Sequence, residues 1–153
     1  MRLTYKGDYA LKILLDLALK YKPGATQQEL VQIKDISKRQ DIPFKYLGQI
    51  ILTLKGAGYI YSKRGHDGGI FLAKHPGKIT LGEIVRLTDG PTSPITCVSN
   101  TGPSKCDYSK KCPFKGVWEK VRDSVNEIVD NVTIEDMAIK CKANTKNILD
   151  YSI

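Results

Sequence analysis

At 153 residues, with 41% hydrophobic and 26% charged residues, the chain has the proportions of one globular domain or one domain with a small appendage. That balance excludes a disordered, collagenous or low-complexity protein. No stretch approaches the roughly 18 consecutive apolar residues of a membrane span, and the start MRLTYKGD lacks a signal peptide's apolar region, so a soluble, cytoplasmic protein with no membrane partner is expected. The formal net charge of +8 is uneven: residues 1–79 hold 14 Lys and Arg against 6 Asp and Glu, and residues 80–153 hold 10 against 10. A basic first half points to a surface that meets a polyanion, followed by a neutral part with another task.

From Thr4 to about Lys20, Ala10, Ile13, Leu14, Leu17 and Ala18 fall on one stripe of an amphipathic helix, which Tyr21-Lys22-Pro23-Gly24 ends,. Leu30-Val31-Gln32 suits a brief strand, and Ile33 to Gln40 a short helix. After the tight connection Asp41-Ile42, Pro43 suits the first turn of a second helix, because its fixed φ is already helical and its missing N–H would be unpaired there. That helix carries Leu47, Ile50, Ile51 and Leu54 on one face to about Ala57, where Gly58 is placed for a left-handed cap,. Two β-rich runs, Tyr59–Lys63 and Ile70–Lys74, are joined by Arg64-Gly65-His66-Asp67-Gly68-Gly69 and read as a hairpin with a glycine-rich tip,. Helix, turn, helix and hairpin make a winged helix-turn-helix over residues 1–79.

Thr80 and Glu83 form a capping-box pair opening a short helix to about Thr88,. Residues 89–113 then hold four prolines and three cysteines, too long a stretch for a plain connection,. A long helix is expected from about Phe114 to Asn131, with Val117, Val121, Val125, Ile128 and Val132 in a stripe beside Trp118. Thr133 and Asp136 start a last short helix to about Lys140, and the tail beyond has no clear pattern,. The expected class is mainly α with a small β-hairpin wing and a long C-terminal dimerisation helix. Its divisions are 1–79, a cysteine-bearing segment 80–113, a helical segment 114–142, and a tail 143–153.

Cys97, Cys106 and Cys112 are separated by eight and five residues. Thiolates bind soft or borderline metals, and a proline- and glycine-rich loop lets distant residues converge on one centre. Lys105, Lys110, Lys111 and Lys115 surround them against one acid, Asp107, and cations offset the charge of thiolate ligands,. Disulfides are disfavoured inside a cell, inert buried thiols in so polar a loop, and zinc by the absence of close CxxC pairs. A metal or redox centre is favoured over these three alternatives, which stay open. Cys141, at the end of the last helix, is read as packing. Catalysis is not expected, because His66 and His75 have no acid–base partner at a plausible spacing.

The opening Arg2-Leu3-Thr4 with Asp8-Tyr9-Ala10-Leu11, the wing Arg64-Gly65 to Gly68-Gly69, Ile79 to Val85, the cysteine triplet and Thr133 to Met137 together resemble bacterial winged-helix regulators. These are the regulators of the IscR, NsrR, RirA and CymR type. The likeness covers all but the last dozen residues. It implies a homodimer joined through long C-terminal helices and, for members with three loop cysteines, an iron-sulfur cluster that controls DNA binding. The implied ligands are Cys97, Cys106 and Cys112. Lys115 stands where IscR-like members carry a histidine ligand and is unsuited to that role. Asp8 matches the aspartate that NsrR-like members donate from the other subunit. A 4Fe-4S cluster is expected ahead of 2Fe-2S, sensing nitric oxide, redox state or iron. The alternatives are a thiol-based or partner-controlled regulator and, more remotely, an iron-sulfur redox protein.

The expected partner is a double-stranded operator of inverted half-sites. Phe44, Lys45, Tyr46 and Gln49 are placed for base or near-base contacts, since the first turns of a recognition helix reach the bases. Lys63, Arg64 and His66 serve the wing, and Lys6, Lys38 and Arg39 the phosphates. For Phe44 and Tyr46 the alternative is core packing.

Overall fold

The computed structural model describes residues 3–24, 28–101 and 106–150, with side chains to residue 144. Arg2, Gly102, Pro103, Lys105 and the end of the tail lie outside the described residues. The elements in order are α1 (Tyr5–Leu19), α2 (Ile33–Gln40), α3 (Phe44–Gly56), β1 (Ile60–Lys63), β2 (Gly69–Leu72), α4 (Leu81–Asp89), α5 (Lys115–Asp130) and α6 (Ile134–Asp150). Single 3-10 turns lie at Pro76–Lys78 and Thr96–Val98. The protein is therefore mainly helical with a two-stranded antiparallel wing, in the winged-helix arrangement expected.

The stripe on α1 is the centre of the core: Ala10, Ile13 and Leu14 have no exposed surface, and Ile36, Leu47, Ile50 and Leu54 close over them from α2 and α3. Buried aliphatic area of this kind is the main favourable term in folding. Asp41 ends α2 in the left-handed region at φ 50°, a conformation Asp tolerates better than most residues. The Ile42 N–H donates to the Ser37 carbonyl at 3.0 Å, and the Ser37 hydroxyl donates to the Ile42 carbonyl at 2.7 Å. These bonds fix the turn between α2 and α3. Pro43 precedes α3 as its cap residue, one position earlier than expected. At the other end Gly58 has φ 74°, and the N–H groups of Gly58 and Tyr59 donate to Lys55 and Leu54. Those two bonds make a Schellman cap.

Ile60 pairs with Leu72 and Lys63 with Gly69 across the wing. Val31 adds the short strand read from Leu30-Val31-Gln32, exchanging both backbone bonds with Ile70 at 2.9 Å. Gly69 is required there, since a Cβ would lie 2.7 Å from the Val31 carbonyl oxygen,.

Hydrogen bonds and shared core residues join the second half to the first. The Thr4 N–H and hydroxyl donate to the Asp89 carboxylate at 2.9 and 2.6 Å, tying the start of α1 to the end of α4. The Ile134 N–H donates to Ile79 and the Leu81 N–H to Val132, both at 2.9 Å, and Ile134 and Ala138 are buried. Helix α6, expected to stop near Lys140, continues to Asp150. Its residues after Lys140 contain no proline or glycine to stop it,.

Candidate nucleic-acid interface

The buried face of α3 leaves Phe44, Lys45, Tyr46, Gly48, Gln49 and Leu52 outward. Phe44 is 64% exposed and Tyr46 47%, which excludes core packing for both. The Lys45 ammonium lies 5.0 Å from the Tyr46 ring centre. Tyr46 continues into an aromatic row with Tyr9 and Tyr5, ring centres 6.1 and 6.0 Å apart. Lys6 and Gln49 border the same cleft as these three rings, about 320 Å³ in volume, so α1 contributes to the surface presented by α3. The sequence does not announce this row, because Tyr5 and Tyr9 share a helix face while Tyr46 is 37 residues further along the chain.

On the other flank of α3 a groove of about 590 Å³ separates it from the wing. Lys34, Lys63, Arg64 and His66 line it together with Phe44 and Leu52. Lys63, Arg64 and His66 are exposed at the hairpin tip, where Gly65 has φ 117°, and the His66 Nδ1 lies 3.1 Å from Asp67. The structure thus brings the α3 residues and the three wing residues to one face. Lys34 joins them, and no sequence signal had marked it apart from the other lysines.

Lys38 is exposed in the last turn of α2. Arg39 has a second engagement: its Nε and Nη2 donate to the Asp16 carboxylate at 2.9 and 2.8 Å, and Gln40 adds a third bond at 3.1 Å. Asp16 is buried, so Arg39 locks α2 onto α1 in addition to any charge it shows to solvent. This hydrogen bond, more than the Coulomb attraction, holds the guanidinium above its ordinary range.

All four cysteines are half-buried. Cys97 sits in the 3-10 turn Thr96–Val98, which Arg122 of α5 holds by donating to the Val98 carbonyl at 2.6 Å. Cys106 and Cys112 bracket a run of turns whose carbonyls receive Ser109 and Lys115 N–H groups. Among the described residues no three His, Cys, Asp or Glu side chains form a metal-holding group, so the expected convergence of Cys97, Cys106 and Cys112 is not present in one chain. Asp8 pairs with Lys12 at 2.8 Å on the exposed side of α1. Three thiols on one segment still match an iron-sulfur cluster in donor type. Cys97, Cys106 and Cys112 are the residues that would hold one.

A family model described as iron-dependent transcriptional regulator, Rrf2, matches residues 3–140. The chain belongs to the Rrf2 family. It is 34% identical over 138 residues to the transcriptional regulator CymR of Bacillus subtilis, covering 90% of each chain. To the regulator IscR of Cronobacter sakazakii it is 33% identical over 152 residues, covering 99% of this chain and 86% of that one. The solved structure of B. subtilis CymR, described as its global cysteine regulator, superposes with a TM-score of 0.71 at 31% identity, over 92% of this chain and 98% of that one. The family is one of transcriptional regulators and not of enzymes, and this Rrf2 protein is a DNA-binding regulator. Among the described residues no helix is long and apolar enough to cross a membrane.

Proposed function

We propose that this Rrf2 protein is a cytoplasmic homodimer that binds an operator of inverted half-sites, and that the state of its cysteine segment controls binding. The observation that carries the reading is the face shared by α3, the wing and the start of α1, where Lys45, Lys63, Arg64 and His66 are exposed and Lys6 is half-buried beside Tyr9. Phe44, Lys45, Tyr46 and Gln49 serve the major groove, Lys63, Arg64 and His66 the wing contact, and Lys6, Lys38 and Arg39 the phosphates. The divisions follow function: residues 1–79 bind DNA, 80–113 sense and 114–142 dimerise, and residues 143–150 belong to α6.

The sensing group in this reading is an iron-sulfur cluster, 4Fe-4S before 2Fe-2S, held by Cys97, Cys106 and Cys112 with Asp8 from the partner as the oxygen ligand. When bound, a cluster supplies a centre whose ligands nitric oxide, oxygen or loss of iron displaces. The chain's own part is mechanical. Arg122 anchors the Cys97 turn to α5, and the Thr4–Asp89 bonds couple the α4 end of that segment to α1. A change in the segment is thereby passed to the DNA-binding unit.

A second reading has its own support: the likeness to CymR, a cysteine regulator by description, favours a thiol-based switch without metal. Anaerobic purification with iron and sulfide analysis separates the two. A brown protein with both elements present, lost in Cys106→Ala and spectrally altered in Asp8→Ala, supports the cluster. A colourless, iron-free protein that binds operator supports the thiol switch. For DNA binding, Arg64→Ala is expected to weaken operator affinity in fluorescence anisotropy, and an unchanged affinity on every duplex tried refutes the wing assignment.

A further inference from the structure

Gly48 stands in the middle of α3, where glycine is the poorest helix former after proline,. Among the described residues nothing accounts for it: it is exposed, its φ is not in the left-handed region, and a Cβ built there meets none of their atoms within 4 Å. Phe44 and Leu52 lie one turn before and after it, at i−4 and i+4, and are 64% and 70% exposed,. The three residues thus make an outward stripe of one recognition helix: apolar, bare backbone, apolar. They line the groove that Lys34, Lys63, Arg64 and His66 border with positive charge. A bare backbone between cations fits an occupant that is anionic at its edges and must come very close.

We infer that Gly48 is a specificity-determining position, at which the backbone of α3 approaches base edges more closely than any side chain permits, and that Phe44 and Leu52 flank it by packing on thymine methyl groups. This inference rests on the operator-binding reading and deepens it. Apolar contact with the thymine C5 methyl is the means by which a side chain without polar atoms reads a base in the major groove. Half-sites therefore carry A·T pairs opposite this stripe, while Lys45 and Gln49 supply the polar contacts beside it.

The test uses the full-length protein and a duplex that it selects from a random pool, with a scrambled duplex as reference. Gly48→Ala is expected to raise the melting temperature and to lower the ratio of selected to scrambled affinity by about tenfold, the scale of one methyl group forced into a packed contact. Replacing single thymines of the half-site by deoxyuracil is expected to cost wild type about fourfold at the contacted positions, the scale of one buried methyl group. That cost should vanish in Phe44→Ala or Leu52→Ala. A Gly48→Ala variant that keeps the wild-type ratio, or uracil substitutions without effect at every position, overturns the inference and leaves operator binding standing as long as Arg64→Ala still weakens it. A wild-type protein that selects no duplex, or that binds phosphatidylglycerol vesicles instead, overturns both readings.

Discussion

Asp16 and Arg39 form the pair on which single-residue changes should weigh most. The carboxylate is 3% exposed and takes two bonds from the guanidinium and one from Gln40. Arg39→Ala leaves that buried carboxylate with Gln40 alone, and an under-satisfied buried acceptor costs roughly 1–3 kcal/mol. The exposed Lys20–Glu29 pair, although 2.9 Å long, is expected to cost far less when broken, because water screens both charges. Denaturant melts of Arg39→Ala and Glu29→Ala check the contrast, and equal losses would show that burial does not set the scale here. The pair also marks where sequence reading stops. Arg39 looks like a phosphate contact from its charge alone, because nothing along the chain reveals that Asp16, 23 residues earlier, faces it. Phe44 and Tyr46 show the same blindness in reverse: helical spacing allows burial or exposure, and only packing against α1 decides.

Elements were legible where a cap or a strict period announces them. The capping box read from Thr80 and Glu83 is present in both directions, at 3.2 and 3.3 Å, and Thr80→Ala is expected to cost about 1 kcal/mol through the lost cap, seen as a lower melting midpoint. Thr133 and Asp136 open α6 in the same manner, the carboxylate accepting from the Thr133 hydroxyl at 2.7 Å and its N–H at 2.8 Å. The hydroxyl bond first and the backbone bond second hold Asp136 below its usual range. Its contribution to stability is therefore complete above the unfolded carboxyl value, near pH 4, and is lost as pH falls through the lower folded value. Thermal melts should show wild type and Asp136→Asn converging as pH falls below about 4. The far end of α6 was less legible. Its residues after Lys140 hold only scattered apolar positions, Cys141, Ala143, Ile148 and Leu149, among polar ones and no stop signal, so its end is not marked. The cysteine segment was legible as chemistry but not as shape, because prolines and glycines say only that regular structure ends.

At the scale of the whole molecule, the excess of Lys and Arg lies in residues 1–79, but packing does not stop there. The core runs on through Ile79, Ile84, Ile134 and Ala138, so α4 and α6 are built into the winged helix and not appended to it. Helix α5 is the exception. It has no buried residue over its 16 positions, and Val117, Trp118, Val121 and Ile128 along it, with Phe114 at its N-cap, are all exposed. The other face is engaged: Asp130 takes Arg86 of α4 at 2.5 Å, Asn126 meets the buried Thr92 at 2.5 Å, and Gly82 leaves room for Asp130 and Val129. An apolar stripe left open after one face has docked fits a second copy of the same helix across a two-fold axis, which the inverted-repeat operator of the proposed function requires. Val121→Glu together with Ile128→Glu places charge on that stripe without touching the docked face. The double variant is expected to sediment as a monomer at micromolar concentration while keeping its helical content. It should also lose operator affinity by about a hundredfold or more, because the second half-site no longer binds as part of one unit. A double variant that remains dimeric by analytical ultracentrifugation would place the interface elsewhere, and a wild type that is monomeric would remove the two-fold operator with it.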